Sequence, residues 1–345
     1  MVIKMGKFYA SLFLTFVILV VIHIGFAVIN LYYWATNSVE VLVHGKTFID
    51  TIYYSIYLKW ILLSDAIWLV MLTLFLIRRK SFKTDPTLHY LDYKPIHDPK
   101  ICVVIPTYNE ELVVERVIKD YLNQKNISQV LVIDNHSTDK TPDIAEKLGA
   151  KVIRKPTNKG LAHSCVMGMR EFLKSDANIL VLTECDGTFS GYDIQKMLPY
   201  LDNCDMVIGT RQVQVLTEKG NQNSMLYVWG NYFLAKLIQI KYFSLRHLGI
   251  VELTDVGCLY RCMRREALEK IIDILTYPGT DEVIVSSSSG LIAILVTMTG
   301  IESNLKIVEV PVTFKKRIGV SKTGADKRSK AIMYGLRFMW YIISK

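Results

Sequence analysis

Two carboxylates stand one residue apart at the end of an apolar run. The segment NILVLTECDGTF places Glu184 and Asp186 directly after residues that are typical of a buried strand. Side chains at positions i and i+2 of an extended segment leave it on the same side, so both carboxylates can bind one divalent cation. Taken alone, a pair of solvated loop carboxylates would be the commoner interpretation. The pair predicts an Mg²⁺ or Mn²⁺ site only if the surrounding elements support it.

Four other polar segments end or follow apolar runs in the same way. From residue 100 onwards, short β-branched runs alternate with helix-like stretches, which predicts an α/β domain with a parallel sheet and crossover helices. Ligands of such sheets bind beyond the carboxyl ends of the strands. We therefore expect TECDGTF to share one cleft with four segments: IPTYNEE (105–111), IDNHSTD (133–139), NKGLAHS (158–164) and MVIGTR (206–211).

Taken in order, these segments resemble the inverting nucleotide-sugar glycosyltransferases with the GT-A fold, the family of the dolichyl- and polyprenyl-phosphate glycosyltransferases. The resemblance continues through TDVGCLYR (254–261) and EVPVTFKKRIGVSKTG (309–324), and covers roughly residues 100–325. It implies a GT-A (Rossmann-like), mostly parallel sheet with flanking helices. It also implies metal-dependent transfer of a hexose from a nucleotide sugar to polyprenyl or dolichyl phosphate, with inversion. Relatives usually carry Asp-x-Asp where Glu184 stands, so Asp186 is expected to be the firmer ligand.

The resemblance also assigns residues to the binding of the nucleotide sugar: Pro106, Tyr108, Glu110, Asp134, Asn135, Lys159 and Gly160. Relatives commonly carry Asp-Asp where this chain has Asp134 and Asn135. Because an amide offers a donor as well as an acceptor, the identity of the base is left open. The segment IDNHSTD is also typical of a helix N-terminus capped by Ser137 or Thr138, and both interpretations can hold together.

Three residues are assigned to catalysis by the resemblance: Asp186, Arg211 and Asp255. Arg211 would reach the diphosphate or the acceptor, since a guanidinium binds two oxygens at once. Asp255 would be a base if the acceptor were a hydroxyl, and an organiser of the site if it were a phosphate monoester. Arg317 and Lys322 would neutralise the diphosphate or a lipid phosphate. As a bare charge run, their segment would be solvated or lipid-facing.

Two apolar runs indicate a membrane anchor. Residues 12–34 and 60–77 are each close to the ~20 residues that cross a bilayer, so residues 1–80 are predicted to form a transmembrane hairpin. A signal peptide is a poorer explanation of the first run, which exceeds the usual apolar length and lacks a cleavage site. Basic residues outside both runs predict that the catalytic domain lies on the cytoplasmic face of the cell membrane. Asp65 is expected near the outer interface or paired with Lys59.

The remaining organisation follows from composition. Residues 81–99, rich in proline and charge, are predicted to be a linker, and residues 100–325 a cytoplasmic catalytic domain with interfacial helices at about 224–250. Residues 326–345 predict an amphipathic helix, which lies either in the membrane interface or on the domain. The net charge of +9 indicates a bilayer rather than nucleic acid as the partner. The six cysteines show no metal or disulfide spacing.

Two alternatives to the polyprenyl-phosphate hypothesis stay open. The acceptor could be another membrane glycolipid or a growing polysaccharide. A protein of another class, a catalytically silent scaffold that binds nucleotide sugars at the membrane, would also fit the replacements at Glu184 and Asn135. The sequence does not fix the sugar, the base, the prenyl chain or the oligomeric state.

Overall fold

The computed structural model describes a large part of the chain in two compact units. The described residues are 18–29, 31–32, 35–36, 38, 42–45, 56–78, 93–219, 225–242, 252–285, 290–319 and 328–345. One unit comprises Met1–Ser81 with Ile343–Lys345, and the other comprises Phe82–Ile342. The predicted ligand Lys322 and part of the first predicted membrane span lie outside the described residues.

A seven-stranded sheet forms the centre of the larger unit, in the order β3-β2-β1-β4-β6-β5-β7. Its paired strands are parallel, except that β6 runs antiparallel to β4 and β5. The expectation of a mostly parallel sheet with flanking helices is confirmed. The strands are β1 Ile101–Thr107, β2 Ile127–Asp134, β3 Lys151–Arg154, β4 Ile179–Leu182, β5 Met206–Thr210, β6 Arg261–Arg264 and β7 Ile307–Pro311.

Helices of the larger unit cover the sheet. All residues of β1 and β4 are buried, which explains why both strands are continuously apolar. Gly168 lets helix α4 approach β1 closely, since a Cβ at that position would lie 2.2 Å from Val104 Cγ1. Within the described residues, the helices with settled bounds are α1 Ile56–Arg78, α2 Val114–Leu122, α3 Thr141–Lys147, α4 Gly160–Leu173, α5 Asp193–Met197, α6 Met225–Lys241, α7 Arg265–Ile271, α8 Leu291–Glu302 and α9 Arg328–Ser344. Shorter 3₁₀ turns span Leu198–Asp202, Gln214–Leu216 and Ile272–Leu275.

The antiparallel strand β6 changes which loops reach the carboxyl edge of the sheet. Strand β5 ends at this edge, and β6 begins there because Ile208 pairs with Arg261 in antiparallel register. The chain between Thr210 and Arg261 therefore leaves the sheet and returns to it at neighbouring strands. This excursion carries Arg211, α6 and Asp255.

The smaller unit contains helical residues 18–29 and helix α1. No helix among the described residues combines the length and the apolar character that crossing a membrane requires. Asp65 lies beside His23, with 2.8 Å between Oδ1 and Nδ1, so the expected pairing with Lys59 is replaced by a contact between two helical segments.

Candidate active site

A cavity of about 670 Å³ opens at the carboxyl edge of the sheet. The ends of β1, β2 and β4 form one wall, and helices α6 and α9 form the other. Polar and charged side chains occupy the strand ends, whereas Phe233, Leu234, Ile332, Leu336 and Phe338 contribute apolar surface from the helices. The cavity therefore has a polar end and an apolar end, which are called the donor end and the acceptor end after the roles that the resemblance implies.

The carboxylates of Glu184 and Asp186 both line the cavity, together with Arg317. Arg317 Nη2 lies 2.6 Å from Asp186 Oδ2 and 3.9 Å from Glu184 Oε2, so one guanidinium faces both acids. Asp186 Oδ1 accepts hydrogen bonds from the Thr188 backbone N–H (3.0 Å) and hydroxyl (2.6 Å). Gly187 adopts a φ of +75°, a conformation that other residues disfavour, and it permits this tight turn.

These two acids fit a divalent cation. Asp186 Oδ2 is buried and accepts no hydrogen bond within the described residues, although Arg317 makes the close ionic contact. Burial, followed by repulsion from Asp186, raises the pKa of the Glu184 carboxyl. A cation would relieve both effects, because it supplies a partner for Oδ2 and offsets the repulsion. The described residues contain no cluster of three or more acidic, histidine or cysteine side chains, so further ligands would come from substrate and water.

Arg211 and Asp255 form a buried pair beside the carboxylates. Arg211 Nε and Nη2 donate to the two oxygens of Asp255 at 2.6 and 2.8 Å, and the backbone N–H of Arg211 donates at 3.1 Å. Phe314 stacks on the guanidinium at 5.2 Å. Burial alone would raise the pKa of the Asp255 carboxyl, but the charge and hydrogen bonds of Arg211 outweigh it and hold the pKa below its usual value.

Glu309, at β7, holds the loop that carries Asp255. Its carboxylate accepts hydrogen bonds from the Thr254 N–H and hydroxyl, both at 2.7 Å, and from the Asp255 N–H at 3.1 Å. Burial raises the pKa of Glu309 to about 7. Sequence reasoning missed this residue, because a glutamate inside a strand gives no signal of the loop that it contacts.

The Arg317 loop is tied through the backbone to the turn that carries Glu184 and Asp186. The N–H of Lys315 donates to the Thr188 carbonyl (2.7 Å), and the N–H of Ile318 donates to the Asp186 carbonyl (3.0 Å). These two bonds flank Arg317 and hold it over the acids. The predicted role of this segment next to the diphosphate is therefore compatible with its position.

The strand ends of the donor end carry most of the nucleotide residues expected from the sequence. Those that line the cavity are Pro106, Tyr108, Glu110, Asn135 and Gly160. Asp134 and Lys159 are not part of this lining, and their role in binding the nucleotide stays a prediction. The Asp134 carboxylate is buried and accepts hydrogen bonds from the Ser137 N–H, where it caps a turn. The side chain of Lys159 is not part of the cavity wall, and its backbone N–H donates to Asn135.

Comparison with known proteins places this site in a family. A family model described as "Glycosyl transferase family 2" matches residues 102–272. Protein RfbJ of Shigella flexneri is 35% identical over 130 residues, which are 37% of this chain and 94% of that protein. The chain belongs to glycosyl transferase family 2. It is therefore a glycosyltransferase, and the resemblance inferred from its strand-end motifs is confirmed.

One further relative of this family 2 protein and one solved structure extend the likeness. Polyprenol monophosphomannose synthase of Mycolicibacterium smegmatis is 28% identical, over 68% of this chain and 86% of the relative. The crystal structure of glucosyl-3-phosphoglycerate synthase from Mycobacterium tuberculosis with Mn²⁺, uridine diphosphate and glucosyl-3-phosphoglycerate superposes with a TM-score of 0.50. The superposition covers 74% of this chain and 88% of that one at 17% identity, and supports the GT-A-like fold.

Proposed function

We propose that this family 2 enzyme transfers a hexose from a nucleotide sugar to a polyprenyl or dolichyl phosphate at a membrane. The observation that carries the proposal is the single cavity that joins a charged donor end to an apolar acceptor end. A donor with a diphosphate needs the charged end. A lipid phosphate needs the charged end for its phosphate and the apolar end for its hydrocarbon chain. A relative named as a polyprenol monophosphomannose synthase supports the same acceptor class.

The donor end supplies charge where the leaving group departs. Glu184 and Asp186 would hold Mg²⁺ or Mn²⁺, which would stabilise the negative charge of the departing nucleoside diphosphate. Arg317 and Arg211 add fixed positive charge to the same end. The neighbour bound to Mn²⁺ and uridine diphosphate supports metal use in this fold.

The acceptor is best explained as a group that is already ionised when it binds. The Asp255 carboxylate accepts four hydrogen bonds, three from Arg211 and one from the Gly257 N–H, so its lone-pair sites are occupied. A residue in this state organises Arg211 and is not available to remove a hydroxyl proton. A phosphate monoester needs no such base.

In this mechanism the acceptor oxygen attacks the anomeric carbon from the face opposite the leaving group. The bond from that carbon to the diphosphate oxygen breaks, and its electron pair leaves with the nucleoside diphosphate. A single displacement of this kind inverts the anomeric centre. Arg211 keeps its Nη1 group for a ligand oxygen, because Nε and Nη2 bind Asp255 within the described residues.

Exposed apolar side chains support attachment to a membrane. On α6 and α9, Trp229, Phe233, Ile332, Leu336 and Trp340 are between 42% and 62% exposed. Such helices suit the interfacial zone of a bilayer, where apolar faces are covered by lipid. In the smaller unit, Leu62, Leu69 and Val70 of α1 are more than half exposed. The predicted hairpin and the cytoplasmic orientation of the catalytic domain are part of this proposal.

The decisive experiment incubates purified full-length protein with a panel of nucleotide sugars, Mg²⁺ or Mn²⁺, and polyprenyl phosphate, and measures labelled lipid. We expect transfer from at least one donor, its loss on chelation, and no product from the corresponding polyprenol. If the label appeared in a glycolipid or polysaccharide instead, that molecule would be the acceptor and polyprenyl phosphate would not. A folded protein that transfers from no donor to any acceptor would favour the silent scaffold.

A further inference from the structure

A chain of hydrogen bonds connects the backbone around Arg211 with Glu309. The Gln212 backbone N–H donates to the Thr210 hydroxyl at 3.3 Å, and the hydroxyls of Thr210 and Thr254 lie 2.7 Å apart. The Thr254 hydroxyl in turn lies 2.7 Å from Glu309 Oε2. Thr210 and Gln212 are the neighbours of Arg211 in the sequence, so the chain begins at the backbone on both sides of this residue.

The charge of Glu309 sets the direction of every bond in this chain. An ionised carboxylate accepts hydrogen bonds and cannot donate them, so the Thr254 hydroxyl donates to Glu309. The Thr254 oxygen is then left to accept from the Thr210 hydroxyl, which accepts from the Gln212 N–H. All three bonds therefore point toward the carboxylate. Hydrogen bonds aligned in this way polarise and strengthen one another.

Glu309 also reaches the side chain of Arg211, through Asp255. Glu309 Oε1 accepts from the Asp255 backbone N–H at 3.1 Å, and Oε2 accepts from the Thr254 backbone N–H at 2.7 Å. The Asp255 carboxylate binds Nε and Nη2 of Arg211. One carboxylate thus holds the backbone on both sides of Arg211 and also the acid that orients its guanidinium.

A buried group of opposite charge holds the other end of the Asp255 loop. The guanidinium of Arg261 is fully buried and donates to the carbonyls of Cys258 at 2.7 Å and Leu259 at 3.3 Å. Glu309 therefore binds N–H groups at the start of the loop, and Arg261 binds carbonyls at its end. Burial lowers the pKa of Arg261 to about 10, so this residue stays charged near pH 7.

Protonation of Glu309 would weaken both connections to Arg211 together. Within the described residues, the three groups that hydrogen-bond to its carboxylate are all donors, two from Thr254 and one from Asp255. An added proton would remove the charge and bring a fourth donor to them. Burial raises the pKa of Glu309 to about 7, against these hydrogen bonds, and the like charge of Asp255 adds to the rise. Opposite Glu309 on β5 stands the apolar Ile208.

We propose that Glu309 is a positioning residue for the transfer step and aligns Arg211 with the acceptor phosphate only while it is ionised. The inference rests on the proposed function, in which Arg211 binds that phosphate. Glu309 is not among the residues that line the cavity, so it acts through Thr254 and Asp255. Loss of its charge leaves Arg211 in place but frees the guanidinium to rotate. The transfer step then slows, and the donor end keeps its affinity.

The test compares the pH dependence of the full-length wild-type protein with that of Glu309→Gln, whose amide carries donor protons as the protonated carboxyl does. Steady-state assays from about pH 5.5 to 8.5 measure kcat/KM for polyprenyl phosphate with saturating donor and Mg²⁺. The acceptor phosphate titrates in both assays, so its contribution cancels in the ratio of wild type to variant. We expect this ratio to be about tenfold or more at high pH, as for a misplaced binding group, and to approach unity at low pH. The midpoint should lie near pH 7.

Two outcomes of this comparison would count against the inference, and they are distinguishable. A ratio that does not change with pH, measured on an active enzyme, would overturn the inference and leave the proposed function intact. No transfer to polyprenyl phosphate by the wild type at any pH would overturn both. Calorimetry with a nucleoside diphosphate and Mg²⁺ should give the same affinity for wild type and Glu309→Gln. A parallel loss of that affinity would show that Glu309 supports the whole cavity and would contradict the proposal.

A second variant tests the proposal without changing Glu309. Thr254→Val keeps the shape of the side chain but removes one of the three donors to the carboxylate, so the fall in activity on acidification should begin at a higher pH. Glu115→Gln, at an exposed glutamate of α2, is the control and should keep the wild-type profile. Thermal melts at each pH identify any variant that fails to fold. An unshifted profile in a folded Thr254→Val protein would contradict the proposal.

Discussion

The donor end and the acceptor end of the cavity are built by different means. At the donor end, loops after neighbouring strands bind one another: the Asn109 N–H donates to the Ser137 hydroxyl (2.9 Å) and the Glu110 N–H to the Thr141 hydroxyl (2.8 Å). The acceptor end is formed by α6 and α9, which present mainly apolar side chains. Hydrogen bonds between loops fix the donor end, and the packing of helices shapes the acceptor end. Substitutions should therefore separate donor binding from acceptor binding.

The largest expected effect is at the two acids that are proposed to hold the metal. Asp186→Asn removes the charge that would hold the metal, and turnover should fall by about 10³-fold or more, as for the loss of a major electrostatic group. Steady-state transfer assays with the preferred donor measure this. Asp176→Asn, at a carboxylate with an 80% exposed side chain, should be neutral. Full activity of Asp186→Asn would disprove the metal assignment.

A smaller loss is expected where the two ends meet. Arg211→Lys keeps a positive charge but loses the fork that binds Asp255 and a phosphate together, so kcat/KM for the acceptor should fall by about 10²-fold. The exposed Arg116→Lys is the matched control. If the nucleoside diphosphate affinity fell instead, with acceptor kinetics unchanged, Arg211 would belong to the donor end.

The acceptor end can be altered by itself. A Cβ at Gly335 of α9 meets no heavy atom within 4 Å, so Gly335→Leu can fold and fill the cavity. The acceptor KM should rise by about tenfold, roughly the effect of occluding a few methylenes of apolar contact. The affinity for nucleoside diphosphate should stay constant. Met333→Leu, on the same helix and outside the cavity wall, should change neither quantity.

The smallest effect concerns the residue that orders the Asp255 loop. The pKa of Glu309 is raised to about 7 from 4.5, so between these values the native state binds more protons than the unfolded state. The free energy of unfolding should therefore fall as pH rises through 4.5 to 7, relative to Glu309→Gln, by on the order of 1 kcal/mol or more. Urea titrations of both proteins at pH 5 to 8 measure the difference. A constant difference would show that Glu309 does not titrate in this range.

The sequence predicted the donor end well because its signal is local. Each strand is a short apolar run, and the polar residues that follow it must reach the carboxyl edge whatever the details of packing. Glu184, Asp186, Asn135 and Arg211 were placed correctly for this reason. The contact of the Asp134 carboxylate with the Ser137 N–H was not predicted, because alternation along one strand end does not show which way a side chain beyond it turns.

The sequence predicted the acceptor end poorly because its residues act through long-range contacts. The periodicity of α9 predicted an amphipathic helix. It did not decide whether the apolar face packs against the membrane or against the protein domain. Only tertiary structure shows that Leu336 and Phe338 line the cavity. Glu309 was missed on the same ground, since its partners lie more than 50 residues away in the chain.

The excursion between Thr210 and Arg261 begins and ends on paired strands. Its two attachment points are thus within about 10 Å of each other, two residues along a strand and one strand spacing across, and they are held by the sheet rather than by the excursion. Such a segment can lengthen, shorten or be exchanged for that of a relative with little disturbance of strand register. One scaffold could in this way keep its activated sugar and diversify the molecule that receives it.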